Sequence, residues 1–387
     1  MIDKFNPWLH EYYARFTAGR GDQTVRSVVF VIGSPDISGG TYVIFQHALW
    51  LKQKGIEVTI VPHFPMSVAE PDWHPAMNEL RFASFEDVKS ESFDIAVVTW
   101  WPTVYDLPRL RFRHAVYFIQ SAESRFYADG DESQASAMAE LTYTFGLPVI
   151  TIATWLQLYM AFQHNAPSFL VRNGIDKTHF GVEGKTKAPP LDEGLRILIE
   201  GTVDVPMKGV NEAIEVAIEA GCEEVWLLTS SDLRVYPGCD RVYSRIPGSE
   251  VAEIYRSCDA LLKLTHVEGM FGPPLEMFHC GGTVVTYDVT GHDEYVEHEQ
   301  NGLVVPVGDK DAAVREVRRL REDSSLLSRL REGALETADR WPDWEEASSQ
   351  FGRLLDGVNR QPPPENLHTM LSISGAWSVD EMVQRGD

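Results

Sequence analysis

No stretch of this chain approaches the roughly 20 consecutive apolar residues that a membrane helix requires. The first residues, Met1-Ile2-Asp3-Lys4-Phe5, lack the apolar core of a secretory leader. No transmembrane segment and no leader are therefore predicted. Cysteine is scarce, with Cys222, Cys239, Cys258 and Cys280 making up the whole complement of 4. None are spaced C-x-x-C, and so few thiols in 387 residues do not make a disulfide scaffold. Free thiols in a reducing cytosol are the expectation. Tightly spaced His and Cys ligands are missing too, so no metal site is predicted. Basic residues are outnumbered, 34 Lys and Arg against 57 Asp and Glu, leaving a formal net charge of −23. That balance excludes a broad basic face for nucleic acid and a polybasic membrane patch, since phosphate contacts need clustered cations.

What remains is an ordinary globular composition, 44% apolar and 11% aromatic. At roughly 150 residues per domain, the length suits two or three domains. No repeat of about 20 to 50 residues is evident. Instead, buried strands alternate with amphipathic helices. Residues 27–33 form a continuous β-branched run that reads as a parallel strand covered on both faces. Ser38-Gly39-Gly40 follows as a glycine turn, then a helix over 41–54 and a strand over 56–61. This is a Rossmann-like opening. Further strands are predicted at 95–99, 115–119, 149–152 and 169–171. After a polar, Pro-containing stretch at 181–190, the pattern restarts. Strands are expected at 196–200, 224–229, 260–264 and 283–287, and helices at 210–220, 250–257 and 275–280. One long helical stretch is expected over 311–338.

The strongest signal is Glu268-Gly269-Met270-Phe271-Gly272-Pro273-Pro274-Leu275-Glu276. It follows a buried strand and enters a helix. Glycines let a ligand approach the backbone, prolines suit a helix start, and a helix N-terminus favours an anion such as phosphate. Carboxylates beside it can accept hydrogen bonds from sugar hydroxyls. The plain alternative is a strand-helix turn with one capping and one solvated glutamate.

This segment resembles the E-x7-E motif of the retaining glycosyltransferases of family 4, which have the GT-B fold. Other segments resemble that family in the expected order over roughly residues 30 to 350. They are Gly39-Gly40, Arg172-Asn173-Gly174-Ile175-Asp176, Ile254-Tyr255-Arg256-Ser257-Cys258-Asp259-Ala260, Cys280-Gly281-Gly282-Thr283, Gly291-His292-Asp293-Glu294 and Asn301-Gly302-Leu303. The resemblance implies an α/β chain of two Rossmann-like domains facing across a cleft. An acceptor domain is expected at 1–172 and a nucleotide-sugar donor domain at 173–345. Residues 346–387 would form a helix and tail packing back on the N-terminal domain.

The resemblance also implies roles. Glu276 would hold ribose hydroxyls, and Glu268 would meet the transferred sugar. Backbone amides of Gly269, Met270, Phe271 and Gly272 would bind sugar hydroxyls, with Gly40 against the diphosphate. Lys208 falls where the family places a diphosphate-binding lysine, and its cation would neutralise the leaving group without a metal. Its plain alternative is a solvated loop lysine. Pro273 and Pro274 carry no N–H, which leaves the Leu275 amide as the helix-terminal donor. Two departures stand out. Gly201-Thr202-Val203-Asp204 lacks the arginine many members carry, and Thr265-His266 replaces the usual Pro-Ser. His266 is a candidate for the sugar pocket or for packing.

In the N-terminal half, residues 117–127 with 139–148 resemble a bacterial branch that includes rhamnosyltransferases of surface-glycan assembly. Gln120 and Glu123 at a strand end are candidates for acceptor or sugar hydroxyls, or else loop caps. Trp100 and Trp101 are candidates for a sugar-stacking platform, or else core. The implied function is retaining, metal-independent transfer of a sugar from a nucleotide-diphosphate sugar to a saccharide or glycoconjugate hydroxyl, with no cofactor. A cytoplasmic location is expected, with peripheral membrane attachment left open, as is the oligomeric state. A non-catalytic nucleotide-sugar-binding or assembly subunit of the same fold is the alternative.

Overall fold

Among the described residues, seven strands of one sheet and six of another account for the strands predicted above, each sheet wholly parallel. The computed structural model describes residues 24–64, 73–127 and 133–361. The expected course of the tail beyond Gln361 lies outside the described residues. The chain divides into two compact units, Met1–Gly174 with Trp344–Asp387, and Ile175–Asp343.

In the first unit the strands are β1 (Ser27–Ile32), β2 (Glu57–Pro62), β3 (Arg81–Phe82), β4 (Phe93–Val98), β5 (Phe112–Ile119), β6 (Val149–Thr151) and β7 (Ser168–Leu170). Their order is β3-β2-β1-β4-β5-β6-β7. The order reverses between β1 and β4, the place where open α/β sheets bind ligands at strand carboxyl ends. Helix α1 (Gly39–Gln53) starts there, and the Ser38 side chain caps it by accepting from Thr41 N–H. Helices α2 (Trp101–Tyr105), α3 (Ser133–Thr142) and α4 (Thr154–His164) follow their strands.

In the second unit β8 (Arg196–Glu200), β9 (Glu224–Thr229), β10 (Arg241–Ser244), β11 (Ala260–Lys263), β12 (Thr283–Tyr287) and β13 (Leu303–Val305) lie in the order β10-β9-β8-β11-β12-β13. Here the reversal falls between β8 and β11. The helices are α5 (Val210–Ala220), α6 (Gly248–Tyr255), α7 (Pro273–His279), α8 (Lys310–Glu322) and α9 (Ser324–Arg340). The apolar faces of α5, α8 and α9 close one core around Ile197, Ile199, Leu227, Leu262, Val285 and Val317. The long helix expected over 311–338 is in fact two helices. Asp323 adopts φ −117° and ψ 88°, and its carboxylate caps the second helix by accepting from Leu326 N–H at 2.9 Å. A side-chain cap in mid-run ends one ladder and starts the next.

The last described helix, α10 (Trp344–Asn359), belongs to the first unit. Phe351 packs against Phe30, Phe118 and His47, with ring centroids 6.2, 5.3 and 4.4 Å away. His47 is fully buried and bonds Ser348 through Nδ1 at 2.9 Å. Burial pushes its pKa down to about 3, so the ring is neutral at pH 7. Gly352 lets α10 lie on α1, since a Cβ there would come 2.8 Å from the Trp50 ring.

Candidate active site

The second unit brings the two strongest sequence candidates together. Lys208 ends a short 3₁₀ turn, Pro206–Lys208, after β8. Glu268 lies in the loop after β11. The Lys208 Nζ donates to Glu268 Oε1 at 2.8 Å. Glu268 is only 12% exposed at its side chain, against 33% for Lys208. The pair therefore sits in a partly desolvated setting, where such contacts are stronger than on an open surface.

Backbone contacts set this geometry. His266 N–H donates to Met207 O at 2.8 Å, and the Thr265 hydroxyl donates to the same oxygen at 3.0 Å. The Thr265 hydroxyl also lies 3.2 Å from Glu268 Oε1. Gly209, at φ 62°, presses the Lys208 turn onto the chain after β11, because a Cβ there would stand 1.9 Å from Leu264 O. On the other side, Gly291 at φ 93° backs the glutamate loop, since its Cβ would meet Gly269 O at 2.4 Å. The Thr290 hydroxyl donates to Glu268 O at 2.9 Å, and the Tyr295 hydroxyl to Phe271 O. Glycines at these two positions are required by positive φ and by backbone contact together.

Helix α7 begins at Pro273 with Pro274 next, so Leu275 supplies its first available amide. The side chains of Met270, Phe271 and Leu275 are buried, and Phe271 belongs to the core. These residues can meet a ligand only through their backbone. Glu276 is half-buried as a residue, yet its carboxyl turns inward, 3.8 Å from where a Cβ of Gly272 would stand. Burial raises its pKa to about 7, opposed by a hydrogen bond with Tyr255 and by the Lys263 charge, and reinforced by Glu200. His266 does not enter this group. Its Nε2 lies 3.1 Å from Glu212 Oε2, and the other Glu212 oxygen accepts from the Tyr287 hydroxyl at 2.6 Å.

Sequence reasoning missed Lys263. Its side chain is 3% exposed at the end of β11, and its Nζ donates to Glu200 O at 3.0 Å and to the Glu200 carboxylate. Its one legible signal is a lysine ending an otherwise apolar strand. No group of three or more His, Cys, Asp or Glu placed to hold a metal occurs among the described residues. No helix there is long and apolar enough to cross a membrane.

The first unit treats its four candidates differently. Trp101 is fully buried, so its face cannot stack on a sugar, and it belongs to a small core with Ala135, Met138 and Ala139. Glu123 is also buried and caps a loop. Its Oε2 accepts from Trp101 N–H at 2.7 Å and from the Tyr117 hydroxyl at 3.2 Å. Both residues thus take the packing and capping alternatives rather than a ligand surface. Trp100 is half-buried, with its ring over Gly33, and Gln120 donates from Nε2 to Gly40 O at 3.1 Å. Trp100, Gln120 and Gly40 therefore share the carboxyl edge of β1, β4 and β5.

Burial raises the Glu123 pKa to about 8, against the hydrogen bonds from Trp101 and Tyr117. The folded state then keeps a proton that the unfolded state releases from about pH 4.5 upward. Stability is accordingly expected to fall as pH rises from about 4.5 to about 8, by at most about 1.4 kcal/mol per pH unit from this group. Glu123→Gln keeps the acceptor for Trp101 and removes the proton. Its melting temperature is expected to vary less across that window and to exceed the parent's at pH 8. A variant that melts lower at every pH would contradict this account.

Residues 241–337 match the family described as Glycosyl transferases group 1. That segment contains the Glu268–Glu276 loop, α7 and β11 to β13. Among curated proteins, the chain is 26% identical over 362 residues to O-antigen biosynthesis protein RfbC of Myxococcus xanthus, covering 85% of this chain and 26% of that protein. It is 29% identical over 120 residues to D-inositol 3-phosphate glycosyltransferase of Streptomyces bingchenggensis, covering 31% and 25%. The chain thus spans about a quarter of the length of these curated relatives. Sucrose-phosphate synthase from Thermosynechococcus elongatus has a similar structure, with TM-score 0.68 at 16% identity over 85% of this chain and 98% of that one. WaaG, a glycosyltransferase involved in lipopolysaccharide biosynthesis, gives TM-score 0.67 at 15% identity over 85% and 100%. HepE of Anabaena in complex with UDP-glucose gives 0.64 at 13% over 84% and 98%. At these identities the likeness is one of fold, and the fold is that of the GT-B glycosyltransferases.

Proposed function

We propose that this chain is a retaining glycosyltransferase that moves a sugar from a nucleoside-diphosphate sugar to a hydroxyl of a saccharide or glycoconjugate, in glycan biosynthesis. The observation that carries the reading is the Lys208–Glu268 contact beside the inward-turned Glu276, at the carboxyl ends of β8 and β11. The match over 241–337 and the nucleotide sugar held by HepE of the same fold support it. Glu276 would accept from the ribose hydroxyls, and Lys208 would leave Glu268 to meet the diphosphate. Glu268, released from its ion pair, would face the transferred sugar. The 26% relationship to an O-antigen biosynthesis protein supports a surface-glycan acceptor, and a rhamnosyltransferase is the specific form proposed. We place the protein in the cytoplasm, working on nucleotide sugars made there.

In the reaction, the bond from the anomeric carbon to the diphosphate oxygen breaks as the bond to the acceptor oxygen forms on the same face. The acceptor proton passes to the departing phosphate oxygen, so no protein base is required. The Lys208 ammonium balances the charge that builds on the diphosphate, and a preorganised cation acts where charge develops. A metal is thereby unnecessary. Turnover is expected to be unchanged in excess chelator. Loss of activity restored by magnesium or manganese would refute that part.

The product should keep the donor's anomeric configuration, read by NMR. An inverted product together with a Glu123→Gln variant that binds donor but is inactive would make Glu123 a base and overturn the mechanism. Thermal shift with UDP, GDP and dTDP and their sugars identifies the donor, since a ligand of the native state raises the melting temperature. Donor binding without hydrolysis or transfer to any acceptor would favour a non-catalytic binding subunit.

A further inference from the structure

Lys263 is nearly inaccessible, yet it stands at the point where the second sheet reverses order. Its Nζ is held by two oxygens of one residue, the backbone and carboxylate of Glu200 on the neighbouring strand. Its own carbonyl accepts from the Thr286 hydroxyl of β12 at 2.9 Å, so the strand end is fixed on both sides. Around this ammonium are three carboxylates, Glu200, Glu268 and Glu276. Burial alone would lower the Lys263 pKa, but these three charges, Glu200 foremost, hold it above the ordinary lysine value. A Cβ on Gly201 would lie 3.5 Å from Lys208 Cβ and 3.9 Å from Lys263 Nζ, so the two lysines flank one glycine, and with the Lys208–Glu268 contact the cluster sets two cations against three acids.

On the donor reading, an arriving diphosphate would draw Lys208 away from Glu268 and leave that carboxylate without its ion-pair partner. Leaving a mostly buried carboxylate unpaired is unfavourable unless another charge compensates. Among the described residues, Lys263 is then the cation facing all three acids.

We propose that Lys263 is a positioning residue of the donor site: its ammonium, tied down by Glu200, supplies the positive charge against which Glu268 and Glu276 stand as neighbouring carboxylates when a nucleoside diphosphate takes Lys208. The inference rests on the donor reading given above. Hydrogen bonds accepted from ribose hydroxyls by both oxygens favour the ionised form of the carboxyl group, so ligand binding and the charge on Glu276 are linked. The groups facing Glu276 are Glu200 from β8, Lys263 from β11, Tyr255 from α6, Cys280 at the end of α7 and Tyr295 beyond β12. Tyr255 and Tyr295 are buried and held well above the ordinary phenol range, chiefly by that burial, so both stay neutral near pH 7. Burial likewise pushes the Cys280 thiol up to about 12. Glu200 and Lys263 act on Glu276 in opposite directions.

The test uses the full chain as wild type, Lys263→Met, Lys263→Arg and the double variant Lys263→Met with Glu200→Gln. Without ligand, the Glu276 carboxyl carbon is titrated by NMR and assigned with Glu276→Gln. Its midpoint is expected to rise by about one unit or more in Lys263→Met and to stay near the parent's in Lys263→Arg. In the double variant it should return toward the parent's, because two opposing charges leave together. With UDP, GDP and dTDP as probes, calorimetry from pH 6 to 9 should show affinity for Lys263→Met reduced about fivefold at pH 7, because a one-unit rise from about 7 takes the ionised fraction of Glu276 from about a half to about a tenth. That loss should be recovered by pH 9. The double variant, which buries no unpaired charge, keeps the test open if Lys263→Met fails to fold. A Glu276 midpoint unmoved by Lys263→Met, or an affinity loss equal at every pH and additive in the double variant, overturns the proposal. If wild type binds none of the three probes while the carboxyl titration responds as stated, the donor reading fails and the positioning role stands.

Discussion

Replacing Lys208 by methionine is expected to lower turnover by about a hundredfold to a thousandfold, the range seen when one preorganised stabiliser of a developing charge is removed. Methionine keeps the length and apolar stem of the side chain but not the ammonium. The loss should appear in the turnover number more than in donor affinity, because the diphosphate gains charge as the sugar departs. Lys208→Arg retains a cation and should recover part of the rate. Steady-state kinetics with the identified donor decide the matter. An unchanged turnover number in Lys208→Met would remove Lys208 from the mechanism and leave its contact with Glu268 as a surface ion pair.

Glu276→Ala and Glu268→Ala should fail in different ways. On the proposed reading Glu276 would hold the ribose throughout the reaction, so its loss should weaken nucleotide binding by about 1.5–3 kcal/mol, the range for a hydrogen bond to a charged group. That corresponds to roughly tenfold to a hundredfold in affinity. Glu268 would, on the same reading, meet the sugar where charge develops, so its loss should chiefly lower turnover and leave nucleoside-diphosphate affinity close to the parent's. Calorimetry with the free nucleoside diphosphate separates the two, since that probe carries no sugar. Equal weakening of donor binding by both variants, with turnover intact, would contradict the division.

The two-sheet fold was largely legible in the sequence, for a physical reason. Strands β1, β8 and β9 carry the unbroken apolar runs 28–32, 197–199 and 225–228, and α5 carries an apolar stripe. Glu268 and Glu276 stand out because glycines and prolines separate them in a way that few plain turns need. What stayed hidden depends on contacts between distant residues. Lys263 lies 63 positions from Glu200, and nothing local joins them. The burial of Trp101 and Glu123 follows from α3, Tyr117 and Tyr143, which a local pattern does not reveal. Strand β10 escaped because it is a short edge strand with half-exposed side chains, and α4 because its aromatic-rich run Trp155 to Phe162 carries no clear polar face. The break at Asp323 was hidden in a long run of helix-forming residues.

The return of α10 to the first unit has a consequence for how the chain acquires its structure as it is made. Phe351 is a full member of the core formed by Phe30, His47 and Phe118, yet it emerges from the ribosome more than 300 residues after the first of them. The second unit, by contrast, is one uninterrupted stretch from Ile175 to Asp343. Domains usually fold in the order of synthesis. Here the part that begins first is completed last, and the later part has all its residues before the earlier one can close. Until Trp344–Asn359 is released, the faces of Phe30 and Phe118 have no permanent cover. Nascent chains stalled just short of Trp344 should therefore be the ones that chaperones hold longest.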